Sequence, residues 1–134
     1  MKTLKIETLT GYWDKDEIML HACFQILFNF VKFEWHDGEY ETFCGYHDID
    51  KCKKEMISQG YSKKDIKLQI SQLVDSNNTT KEIWDLYNWW NKIRPNRDPK
   101  METTWDPKTN LFLADMEDDE MLLRLMKVRG HLWT

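Results

Sequence analysis

The chain has 134 residues, with 19 basic and 23 acidic side chains and a net charge of −4, so no broadly basic surface marks it as a general nucleic-acid binder. Seven Trp, six Phe and five Tyr supply large, rigid pieces for a core, and the length suits a single domain over residues 1–134. Cys23, Cys44 and Cys52 show no CxxC spacing, so free thiols in a reducing compartment are expected rather than a disulfide framework.

In chain order, Met1 to Tyr12 is short and mixed. Leu4, Ile6 and Leu9 suit a brief strand or an extended arm, and Gly11 marks a turn. The stretch lacks the apolar core of a signal peptide, so a soluble, intracellular protein is expected. Tyr12 and Trp13 are placed to staple the start of the next helix.

Ile18 to Trp35 is the most apolar run in the chain. Asp14 or Asp16 can cap its start, and Glu17 adds negative charge to the first turn. On a wheel at roughly 100° per residue, His21, Gln25, Asn29 and Lys32 share one narrow strip. Met19, Leu20, Cys23, Leu27, Phe30 and Val31 lie opposite, and Ile26, Phe28 and Phe33 widen that arc. A helix apolar over most of its girth is one that other elements wrap around. It is not expected to span a membrane, because it falls short of the ~20 residues required and contains His21, Lys32 and Glu34. Glu34 sits within the apolar arc, where a carboxylate must either find a partner or reach water.

His36 to Tyr46 reads as a loop with room for a short hairpin. Asp48 caps a helix running to Gln59, with Ile49, Cys52 and Met56 on one face and Gly60 at its C-terminal cap. Ser62 and Asp65 begin the next helix, which carries an Ile66, Ile70, Leu73 and Val74 stripe and a solvated Lys63, Lys64 and Lys67 face. Asp75 to Asn78 reads as a polar turn, and Thr79-x-x-Glu82 as the capping box of a fresh, Trp-rich helix. Pro95 should end that helix and push Arg94 toward extended backbone. Asn96 to Asp115 then reads as a long loop, of a length uncommon in a small domain unless it is packed or functional. Glu117, Asp118 and Asp119 open the last helix and match its dipole. Its apolar arc is Met121, Leu122, Leu125, Met126, Val128, Leu132 and Trp133, with Arg129 at the centre.

The expected fold is therefore mainly α. It is a single-domain helical bundle around the central apolar helix, with a short N-terminal strand or hairpin allowed. Two charges of opposite sign, Glu34 and Arg129, each lie in an otherwise apolar helical face. They are predicted to meet as a buried ion pair, since an Arg fork holds a carboxylate with two parallel hydrogen bonds.

Two clusters suggest function. Trp84, Trp89, Trp90, Arg94, Asn96 and Arg97 bring aromatic rings beside guanidinium groups, an arrangement that can stack on a partner or bind an anion. Trp84, Trp89, Arg94 and Arg97 are the expected partner-binding residues. The same set also suits a packed helix end with a docked loop. The string YHDIDK, Tyr46 to Lys51, resembles the HDIGK-like string of HD-domain phosphohydrolases. That resemblance implies metal held by His21, His47 and Asp48, with Asp75 or Asp85 as the distant acid, and a metal-bound water attacking a phosphate. The family pair lies in an apolar helix, however, whereas here Asp50 replaces the usual Gly and Asp48 serves as a helix cap. No Gly-rich phosphate loop, GxSxG or HExxH occurs. No catalytic residue, metal or cofactor is assigned in the primary reading.

LYNWWNKIRPNRDP (Leu86 to Pro99), EDDEMLLRLMKVRGHLW (Glu117 to Trp133) and WDKDEIMLHACFQILFNFVKFE (Trp13 to Glu34) resemble strings in uncharacterised small proteins of tailed bacteriophages. They cover roughly two fifths of the chain. The resemblance implies a phage protein acting in the cytoplasm of an infected bacterium, and it carries no activity. The expected function is that of a non-enzymatic accessory protein that binds a protein partner, of host or phage. The alternatives are an HD-type phosphohydrolase and a virion or assembly component. Net charge does not point to nucleic acid, and no membrane is expected.

Overall fold

A computed structural model of the chain describes residues 4–9, 11, 14–34 and 47–132. Among these residues the architecture is mainly α with one short hairpin. The helices are α1 (Lys15–Asn29), α2 (Ile49–Ser58), α3 (Lys63–Asn88) and α4 (Leu113–Val128). The strands β1 (Trp105–Asp106) and β2 (Leu111–Phe112) pair antiparallel, with Trp105 opposite Phe112. The hairpin lies in the segment read as a long loop and not near the N-terminus, where residues 4–9 form no strand. Its turn holds Asn110 at φ 61°, a conformation that asparagine tolerates better than most residues. The hairpin expected within His36 to Tyr46 falls outside the described residues, as do Cys44 and Trp133.

The core forms where α1, the C-terminal half of α3 and α4 converge. Phe24, Leu27, Val31, Ile83, Leu86 and Leu125 are fully buried in it. α1 joins the core through Leu20, Phe24 and Leu27, but its burial is rotated from expectation. Met19 and Phe33, assigned to the apolar arc, are 61% and 70% exposed. His21 and Gln25, from the polar strip, are buried, and the N-terminal segment is what accounts for them. Thr8 Oγ1 lies 2.5 Å from His21 Nδ1, and the Glu7 N–H donates to Gln25 Oε1 at 3.2 Å. Gln25 in turn donates to Asn29 Oδ1 at 2.9 Å. A buried polar strip of this kind is tolerated because its groups are hydrogen-bonded.

Local capping signals place α2 and the start of α3. Asp48 accepts from the Lys51 N–H and Ser62 from the Asp65 N–H, both at 3.1 Å. Gly60 between the helices has φ +82°, the left-handed geometry that favours glycine after a helix. The predicted break at Asp75 to Asn78 is absent, and α3 is continuous for 26 residues. Thr79 does not cap a new helix; its hydroxyl donates back to the Asp75 carbonyl at 3.1 Å, inside the helix. Asn77 is also occupied. Its amide accepts from the His47 N–H at 2.8 Å and donates to the His47 carbonyl at 2.7 Å, which ties the start of α2 to α3. α2 buries no residue, and α3 buries only Thr80, Ile83 and Leu86, all in its second half. α2 and the first half of α3 thus form a helical hairpin outside the core.

α4 starts at Leu113 rather than at Glu117, with Phe112 at its N-cap and no side-chain cap. Arg124 ties it to α3 through two parallel hydrogen bonds to Glu82, at 2.5 and 2.8 Å. Arg129, expected within the apolar face, is exposed. α4 ends at Val128, and the following 3-10 turn, Arg129–Leu132, takes Arg129 off the buried stripe. The Glu34 side chain lies outside the described residues, so the predicted pair has only its arginine in view, and that arginine is solvated.

Candidate functional site

Beyond Asn88 the α3 helix passes into a π turn, Trp89–Ile93, and then into 3-10 turns at Arg94–Asn96 and Pro99–Glu102. Arg94 keeps helical backbone, φ −56° and ψ −48°, so Pro95 tightens the chain here instead of extending the residue before it. The wider π turn lets two consecutive residues face inward. Trp89 and Trp90 are both buried, at 4% and 6% exposure. Trp90 stacks on Phe24 at 4.6 Å and meets the edge of His21 at 4.8 Å, and the Arg94 guanidinium carbon lies 5.0 Å from the Trp90 ring centre. A guanidinium over an indole face is attracted by the ring quadrupole.

Two arginines then converge on one carboxylate. Asp118 Oδ1 accepts from Arg94 Nε at 3.0 Å and from Arg97 Nη1 at 2.7 Å. Oδ2 accepts from Arg94 Nη2 at 3.1 Å and from Arg97 Nη2 at 3.3 Å. Glu117 Oε1 accepts from Trp89 Nε1 at 2.8 Å and from Arg97 Nη1 at 3.3 Å. Burial is the largest single influence on Asp118 and pushes its pKa up. The hydrogen bonds and charges of Arg94 and Arg97 together outweigh burial and hold the carboxyl below its ordinary value. Burial likewise opposes the charge of Arg97, and Asp118 and Glu117 more than restore it.

This knot floors a polar cleft of about 440 Å³, with Glu17, His21 and Asp115 among its walls. Burial, reinforced by the nearby Arg94 charge, lowers the pKa of His21, so the imidazole is neutral near pH 7. Burial raises the pKa of Glu17, and the Asp118 and Asp115 charges add to that against the pull of Arg94 and Arg97.

No protein family, curated protein or solved structure matches this chain.

Of the expected partner-binding residues, Trp89, Arg94 and Arg97 assemble around Glu117 and Asp118 and face inward, whereas Trp84 packs apart from them. Trp89 is core, Arg94 and Arg97 have side chains only 19% and 9% exposed, and their guanidinium groups are taken by Asp118. Trp84 is half-buried and stacks with Tyr87 at 5.7 Å, which stacks in turn on Phe28 at 5.8 Å. Trp89, Arg94 and Arg97 are packed into one knot, with the two arginines also lining the polar cleft. The HD-like ligands do not converge either. His21 packs beside Trp90, whereas His47 and Asp48 are held at the start of α2 against Asn77. Asp85 pairs with Lys81 at 2.7 Å. Cys23, read as a core residue, is half-buried in contact with the core, and burial pushes its thiol pKa up.

Among the described residues, the acid, His and Cys ligand atoms that gather within 4.8 Å belong to Glu17, Asp115 and Asp118. Carboxylate oxygens suit a hard cation. Here both Asp118 oxygens already accept guanidinium hydrogens, and two fixed positive charges stand beside them, which opposes a divalent ion.

Asp118 is hidden in the sequence among three acids, Glu117, Asp118 and Asp119, that equally suit a helix dipole. The signal was present. Ala114, Asp118, Met121, Leu125 and Val128 recur at helical spacing and are all buried, so Asp118 is a carboxylate on an apolar face.

An apolar surface lies elsewhere, on the α2–α3 hairpin. A groove of about 680 Å³ there is lined by Ile57, Tyr61, Ile66 and Ile70 and bordered by Lys53, Lys63 and Lys67. Ile57 and Leu68 of this hairpin are each 60% exposed. Among the described residues no helix is long and apolar enough to cross a membrane.

Proposed function

We propose that this chain is an accessory protein that acts by binding a protein partner through its helical hairpin. The observation that carries this reading is the lysine-bordered apolar groove between α2 and α3. Contiguous apolar patches held at a surface, rimmed by polar residues, mark interaction sites. The arginines and Trp89 of the knot support the same view, since they are engaged by Glu117 and Asp118 while the hairpin groove stays open. The resemblance of three strings to phage proteins supports placing this role in the cytoplasm of an infected bacterium.

The test is affinity capture from lysate of infected bacteria, with the wild-type chain and an Ile57→Asp/Ile66→Asp variant as baits. A protein retained by the wild type and lost from the folded variant is the expected result. An identical set of captured proteins on both baits would remove the hairpin from the function.

A further inference from the structure

A second, largely acidic groove with apolar side chains in its lining lies between the start of α1 and α4. It has a volume of about 400 Å³, and its lining includes Met19, Leu122, Asp16, Asp115 and Asp119. Met19 is 61% exposed there. The charges of the two grooves are segregated along the chain. From Lys51 to Ile70 there are six lysines against Glu55 and Asp65. From Leu113 to Glu120 there are five carboxylates and no basic residue; Glu117 and Asp118 are paired with Arg94 and Arg97, which leaves Asp115, Asp119 and Glu120 outside the knot.

We infer that the occupant of the lysine-bordered hairpin groove is a second copy of this chain, presenting its aspartate-bordered α1–α4 groove. The inference rests on the hairpin being a binding surface and names what binds it. Charge complementarity selects this occupant. Lysines on one face meet aspartates on the other, and each face brings apolar side chains to bury at the centre. Opposite potentials of this kind favour the right pairing and penalise wrong ones. Two hairpins packed on each other would instead bring Lys53, Lys63 and Lys67 of both copies together, and like charges across a contact are repulsive. The acidic face also gains from a cationic neighbour. Asp14, Asp16, Asp115 and Asp119 line this one groove, and partial desolvation, followed by the charges of Asp115, Asp118 and Asp16, raises the Asp119 pKa. A contact between two different faces is heterologous, so it propagates into a ring or an open chain and does not stop at a two-fold dimer.

Sedimentation velocity on the intact protein tests this, with two charge-reversed variants. The first is Lys53→Glu/Lys63→Glu/Lys67→Glu, and the second is Asp16→Lys/Asp119→Lys; all five positions are exposed. At a protein concentration of about 0.1 mM, where a micromolar contact is fully formed, the wild type should sediment as species larger than a monomer. Raising salt from about 0.1 M to about 1 M, which shortens the screening length from roughly 10 Å to roughly 3 Å, should weaken that association by about tenfold. Each variant alone should be monomeric, and mixing the two should restore assembly, because the reversed faces are again complementary. A monomeric wild type overturns the inference and leaves the hairpin reading to its own capture test. Association that survives in either variant alone also overturns it, since the contact would then lie elsewhere or join two like faces. If a reversed variant fails to fold by circular dichroism, the Lys→Gln and Asp→Asn versions take its place. Those neutral variants should associate about tenfold more weakly than the wild type, and unchanged association overturns the inference.

Discussion

Arg97 and Asp118 face each other through two parallel hydrogen bonds, Nη1 to Oδ1 at 2.7 Å and Nη2 to Oδ2 at 3.3 Å. Their side chains are 9% and 7% exposed. Arg94 grips the same carboxylate with its own pair of bonds, so one buried negative charge holds two arginines on a different segment. Removing the anion strands both cations. Asp118→Ala should therefore cost about 3–5 kcal/mol, read from urea unfolding followed by tryptophan fluorescence. Replacing all three residues with apolar side chains of similar volume should cost much less. If Asp118→Ala unfolds at the wild-type urea midpoint, the knot contributes no stability.

The same carboxylate sets a response to acid. The Asp118 pKa is held below its ordinary value of 3.8 in the folded chain, its arginine partners overcoming the opposing effect of burial. Its stabilising contribution is present above that value and is lost as pH falls through the depressed one. The acid limb of stability should accordingly be shallower in Asp118→Asn than in the wild type, measured by melting temperature against pH. Parallel acid limbs would exclude Asp118 as a source of the slope.

His21 acts in a higher window. Burial and Arg94 lower its pKa from 6.5, so the unfolded chain takes up a proton near that pH before the folded chain does. Stability should fall as pH drops through 6.5. Asn in place of His21 keeps a side-chain group within reach of Thr8 and does not titrate. The pH dependence between about 7.5 and about 5.5 should flatten in His21→Asn, and an unaltered profile would assign it to other groups.

Trp89 separates a structural knot from a surface patch. At 4% exposure, Trp89→Ala should cost about 3–5 kcal/mol. Trp89→Phe keeps a ring but leaves Glu117 without its Nε1 donor, and about 1–2 kcal/mol should follow. Unfolding midpoints unchanged in both variants would place the indole at the surface after all.

Asn77 clips the hairpin shut. Its two hydrogen bonds to the His47 backbone hold the first turn of α2 on α3. Asn77→Ala should accelerate amide hydrogen exchange across α2 while leaving α1 and α4 protected, as expected for a local opening unit. Equal acceleration everywhere would mean that the hairpin and core open together.

The sequence was most legible where a signal is local. The caps at Asp48 and Ser62 and the glycine at Gly60 depend on residues within one turn, and all three work as expected. It misled where a distant partner reassigns a polar group. Asp75 to Asn78 looks like a turn, but Asn77 is satisfied by His47, thirty residues away, and Thr79 by Asp75 within the helix. With those groups satisfied, nothing forces a break. The candidate site shows the same division. The aromatic and arginine residues were singled out together, but whether they faced inward depended on Asp118 in another helix. Its position on the Ala114–Val128 stripe was the one available clue.

The unbroken course of α3 has a mechanical consequence. Its 26 residues span about 39 Å at 1.5 Å per residue. One end is gripped by Leu86, Trp89 and Trp90 in the core, and the other carries Ile66 and Ile70 at the groove. A rod clamped at one end and loaded at the other is a lever. A pull on the hairpin is not absorbed by a flexible joint at Asp75 to Asn78; it arrives as torque on the π turn that seats the two tryptophans. The groove is therefore presented with the stiffness of the core behind it, and whatever docks there is spared much of the cost of ordering it.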